Sequence, residues 1–103
     1  MSKKAQERVE AEELLRRHQV LAKVHPRSLE QMLDKSVPVL IQAKCIHDTW
    51  ARAAINEGWV FGLARDVNRR RDPRLMPFGQ LEADQQAEFY DIASSMRVIS
   101  EMN

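Results

Sequence analysis

Two residues that interrupt helices, Pro38 and Gly58, bracket the run that most restricts what this chain can fold into. Ser36 and Pro38 form a good helix start: a serine hydroxyl accepts from an orphan backbone N–H, and proline in the first turn loses no hydrogen bond. Gly58 suits the left-handed position that ends a helix. Between them Leu40, Ala43, Lys44, His47, Trp50, Ala51 and Ala54 recur at three-and-four spacing, which predicts a helix to about Glu57 with these residues on one face. Two further segments carry a helical stripe. The first runs from Ala5 to Lys23 through Ala11, Leu14, Leu15, His18, Leu21 and Ala22; His25-Pro26 stops it, and Ser28 starts a short turn through Leu33. The last follows Leu81 through Ala83, Ala87, Phe89, Ile92, Ala93, Met96 and Ile99. The fold class expected is mainly α.

The remaining segment lies between the second and third stripes. Trp59-Val60-Phe61 suits a short strand or extended edge, and Gly62 permits a sharp turn or a close backbone approach. From Leu63 to Gly79, Pro73 and Pro77 forbid a continuous helix, leaving a long arginine-rich loop of a length that usually has a function. Leu75 and Phe78 are expected to pin this loop on the helices and turn Arg74 toward a cleft. Residues 1–35 read as a helical arm and 36–103 as the domain proper, in one globular unit. At 103 residues with 44% hydrophobic and 30% charged content the chain suits a single folded domain. The apolar run Val37 to Ile41 is interrupted by Pro38 and is far short of the roughly 20 residues of a membrane span. The opening MSKKAQERVEAEELL has no apolar core for a secretory signal, so a cytoplasmic protein without a membrane partner is expected.

Net charge is only +1, but its distribution is uneven. Arg65, Arg69, Arg70, Arg71 and Arg74 stand against Asp66 and Asp72, a local balance of +3; after Leu81 the balance is acidic, with Arg97 alone opposing Glu82, Asp84, Glu88, Asp91 and Glu101. One short basic loop is a weak electrostatic footprint for nucleic acid, which ranks last among partners. Cys45 has no second cysteine and is expected to pack as a small core residue. Glycine-rich phosphate loop, paired cysteines, His-x-x-x-His pair and glycine-flanked nucleophile are all missing, so neither enzyme, metal nor cofactor is expected. His47 with Asp48 or Asp66 is set aside as an acid–base pair, because three histidines are ordinary in a chain of this size. His18 and His25 read as structural.

An ordered series of residues adds a family expectation. His47, Trp50, Gly58-Trp59, Phe61-Gly62, Arg65-Asp66, Asn68, the basic run from Arg69, Pro73, Leu75, Pro77, Phe78 and Leu81 together resemble the repeat domain of ryanodine receptors. The resemblance implies a small helical domain over 36–103. It also implies a cleft where the tryptophan stacks on aromatic ligands, adenine nucleotides among them. Carried over by motif position, the ligand-binding group is His47, Trp50, Arg65 and Arg74, with Arg52, Asn68 and Trp59 as secondary candidates. An indole face stacks on a purine, and arginine forks bind phosphate oxygens in pairs. Two departures stand out: Ala54 occupies a position where the receptor repeats favour a basic residue, and the chain has one repeat where the receptor has tandem pairs. A homodimer would restore the second half of the cleft. The first reading is therefore capture of a nucleotide-like small molecule; its alternative makes the same Trp/Arg surface a protein-interaction or self-association patch.

Overall fold

The computed structural model describes residues 3–17, 31–34 and 36–102. Helix α1 (Lys3–Arg17), α2 (Val39–Asn56) and α3 (Ala83–Met102) make up most of it; strands β1 (Val60–Phe61) and β2 (Arg71–Asp72) and a 3-10 turn (Phe78–Gln80) lie between α2 and α3. The mainly α expectation holds. His18, Leu21, Ala22, His25-Pro26 and Ser28 lie outside the described residues.

Helix α2 ends as its sequence predicts. Gly58 sits at φ +93°, its N–H donates to the Ile55 carbonyl, and the Trp59 N–H reaches back to the Ala54 carbonyl, both at 3.0 Å. That pair of bonds is a Schellman motif, which satisfies two of the carbonyls a helix end leaves without partners. The start differs from expectation. Pro38 itself holds the cap position, and Ser36 instead turns its hydroxyl and N–H to the Asp34 carboxylate. The buried face is also rotated: Ala43, His47, Trp50 and Ala54 are inside as predicted, but Leu40 and Lys44 are exposed and Gln42 and Ile46 are buried. Gln42 can occupy an interior position because both ends of its amide have partners, Nε2 donating to the Met32 carbonyl and Oε1 accepting from Arg97 Nε at 2.9 Å.

The two strands run parallel in register Val60 with Arg71 and Phe61 with Asp72. Parallel strands ordinarily need a long crossover, and here a tight loop suffices because Arg71 pairs twice. Arg71 and Asp66 exchange N–H···O bonds of 2.9 Å, and the Val60 N–H donates to the Arg70 carbonyl at 2.9 Å. Gly62 makes the closure possible: a Cβ there would stand 2.7 Å from Arg71 Cβ, closer than carbon atoms tolerate. The second strand, inside the expected irregular loop, carried no sequence signal of its own.

Phe89, Ile92, Ala93 and Met96 of α3 form the spine of the core, with Ile46, Trp50 and Ala54 of α2 on one side and Ala11, Leu14 and Leu15 of α1 on the other. Ala83 and Ala87, expected on this stripe, are exposed. Both precede the point where α3 meets α2, and the first turn is instead tied down by polar bonds: the Glu82 N–H donates to Gln85 Oε1 at 2.9 Å. Leu75 and Phe78 pack on the core as predicted. Cys45 is half-buried. Residues on both sides of position 35 share the one hydrophobic cluster. No described helix is long and apolar enough to cross a membrane.

Candidate functional site

The arginine-rich loop is fixed to the helices through one buried carboxylate. Asp72 has no exposed surface, and its Oδ1 accepts from the Arg74 backbone N–H at 2.8 Å and from Arg74 Nε at 3.0 Å. Its Oδ2 accepts from Arg74 Nη2 at 2.8 Å and from Arg65 Nη1 at 2.6 Å. Burial alone would push the Asp72 carboxyl up; the hydrogen bonds and charge of Arg74, with Arg65, outweigh it and hold the carboxyl below its ordinary value. Burial likewise disfavours the charged Arg74, but Asp72 and Glu88 more than compensate. Glu88 of α3 completes the knot, accepting from Arg74 Nη1 at 3.0 Å.

Aromatic rings enclose this knot. The Arg74 guanidinium lies over the Trp50 ring at 4.6 Å and that of Arg65 over Trp59 at 5.1 Å. His47 is buried among Trp50, Phe78 and Phe89, with ring centroids 5.0 to 5.9 Å away. Its Nε2–H donates to the Arg74 carbonyl at 2.8 Å, and Nδ1 lies 3.0 Å from Asp48 Oδ1. A carbonyl can only accept, which fixes a proton on Nε2.

The expected site residues are divided by this arrangement between interior and surface. Trp50 is only 2% exposed and His47 1%, and the Arg74 guanidinium lies over the Trp50 ring. Arg74 does not turn outward: Asp72, Glu88 and Trp50 hold it at 7% exposure. The physical reason is Asp72, which makes an interior guanidinium favourable by supplying a bidentate partner. Arg52 and Asn68 are exposed, and Trp59 is half-buried against the core beneath Arg65.

What remains open is a groove of about 420 Å³ at the outer edge of the knot, lined by Arg17, Arg65, Asp72, Pro73, Arg74, Gln85 and Glu88. It lies within the size range of small-molecule sites. Three guanidinium groups there face two carboxylates, one of them inaccessible. Among the described residues Arg65 spends a single N–H on protein, to Asp72, which leaves the rest of its fork for a visitor. Of the predicted group, Arg65 and Arg74 thus come together at one surface, whereas His47 and Trp50 stand behind it.

Sequence reasoning missed Asp72, Glu88, Arg17 and Gln85. A signal existed for Asp72: in Asp72-Pro73-Arg74 an aspartate two residues before a backbone N–H is the pattern of an Asx turn, which the structure makes. Glu88 and Arg17 come from helices distant in sequence and gave no local sign. Among the described residues no group of histidine, cysteine, aspartate and glutamate could hold a metal ion.

Comparison with known proteins adds one family. The model of the RyR domain matches residues 22–103, most of the chain. No solved structure matches.

Proposed function

The chain belongs to the RyR domain family, and from that premise we propose that it is a non-enzymatic module that captures a phosphate-bearing small molecule of the nucleotide kind in the arginine groove. The observation that carries this reading is the pre-set pair of guanidinium groups, Arg65 and Arg74, fixed on Asp72 at the floor of the groove. A phosphate entering there meets donors whose positions are already paid for by the fold, so little side-chain entropy is lost on binding. Arg17 and the remaining N–H groups of Arg65 take the phosphate oxygens. Gln85 and Glu88 at the rim offer partners for sugar hydroxyls. The aromatic wall is not part of this site; Trp50 acts from behind, by holding Arg74 flat.

A thermal-shift series with mononucleotides, dinucleotides, cyclic nucleotides and inorganic phosphate tests the proposal, because a ligand that binds only the folded chain raises its melting temperature. Arg17→Gln, on an exposed side chain, is expected to keep the fold and weaken binding about tenfold to a hundredfold through loss of a charge-assisted hydrogen bond. The reading fails if no phosphate compound shifts the transition, or if Arg17→Gln and Arg65→Gln both bind as tightly as the natural sequence.

A further inference from the structure

The loop between β1 and β2 places apolar side chains in water. Leu63 is 93% exposed and Val67 57%, and Val60 and Phe61, the whole of β1, are exposed as well. The base of the loop is closed by the bonds from Val60 to Arg70 and between Asp66 and Arg71, so these exposed residues are carried on one short, tied-down knob of backbone. Three exposed arginines stand on the same loop: Arg69, with 78% of its side chain in water, Arg70 and Arg71. Asp66, 3.8 Å from Arg69, is the one acidic residue between Val60 and Arg71.

The knob is rigid as well as exposed. Arg70 holds a left-handed backbone, φ 55°, and its Nη1 donates to the Glu57 carbonyl at the end of α2 at 2.5 Å. The Arg71 stem packs on Gly62. A short apolar loop of this kind, with three exposed arginines in the same segment, offers little area to a folded partner of ordinary size. A stable protein interface buries about 800 Å² on each side, more than four side chains of one loop offer. The loop's apolar and cationic composition suits a partner that yields to it. Apolar side chains enter the boundary between headgroups and acyl chains, and arginines beside them meet anionic headgroups.

We propose that the β1–β2 loop docks the protein on an anionic phospholipid surface, with Phe61, Leu63 and Val67 entering the bilayer interface and Arg69, Arg70 and Arg71 contacting lipid phosphates. This docking is peripheral and needs no spanning helix. The groove borders the same loop through Arg65, but its lining includes none of the apolar residues of the knob.

The test is co-sedimentation of the full chain with vesicles of phosphatidylcholine alone and of phosphatidylcholine with phosphatidylserine. Binding is expected to the mixed vesicles only, declining as salt is raised. Leu63→Ser should weaken it about tenfold, the transfer value of one buried leucine, and the combined R69S, R70S and R71S variant about a hundredfold, from the attraction of three cations near the surface. All these positions are exposed, and circular dichroism checks that both variants fold. Absence of binding to mixed vesicles at low salt overturns the proposal. So does undiminished binding by Leu63→Ser, which would mean adhesion by charge alone. A dimer that Leu63→Ser dissolves, in a chain that ignores vesicles, would assign the knob to a second copy instead.

Discussion

Asp72 decides more of this structure than any other single side chain. It joins two guanidinium groups, one within its own turn and one from the loop before β2, and through Arg74 it fixes the ring of Trp50 and the carbonyl that His47 binds. Asp72→Asn leaves two arginines facing a neutral amide at a buried position, and is expected to lower the unfolding free energy by about 3 kcal/mol, measured by urea titration. The pH dependence has a definite sign. A carboxyl held below its unfolded value of 3.8 contributes stability that is complete above that value and is lost as pH falls through the lower, folded one. The urea midpoint of the natural sequence should therefore decline below about pH 4, and Asp72→Asn should lack that part of the decline. Arginine at position 74 looked accessible in the sequence because arginine is seldom buried unpaired. Its interior place depends on Asp72, which the local Asx pattern announces, and on Glu88 of α3, which no local pattern announces.

At the level of elements, the features that were legible are those written by local chemistry. Gly58 is an example: the left-handed turn needs a residue without a Cβ, and the Schellman bonds follow from backbone positions alone. The buried face of α2 was legible along Ala43, His47, Trp50 and Ala54. Its flank was not, because Gln42 enters the core only when the Met32 carbonyl and Arg97 meet it there. The two strands are held by a contact that forbids any side chain at position 62. Gly62→Ala should destabilise the fold by about 1 to 3 kcal/mol through overpacking against Arg71. It should also speed amide exchange at Val60 and Arg71 in preference to the helices. Gly58→Ala, strained by its φ of +93° and 3.2 Å from Arg70 Nη1, should cost about 1 to 2 kcal/mol in thermal melts without that regional exchange effect.

For the whole molecule, the hydrophobic cluster continues across the division expected at residue 35. Ala11, Leu14 and Leu15 of α1 contribute side chains to the same core as Ile46, Phe89 and Ile92. Leu14→Ala should therefore destabilise the entire domain by about 2 to 5 kcal/mol, in one transition seen alike by far-ultraviolet circular dichroism and by fluorescence. Two transitions would show α1 melting by itself. The helical class was legible because apolar spacing in three segments suffices for it. The position of α1 was not, since its stripe says only that something covers it. The two tryptophans are a ready set of optical reporters: Trp50, sealed under Arg74, emits from the interior, while half-exposed Trp59 emits from the side of the loop. Each can be read alone once the other is replaced by phenylalanine, so the molecule carries separate dyes for its centre and its loop without any label being attached.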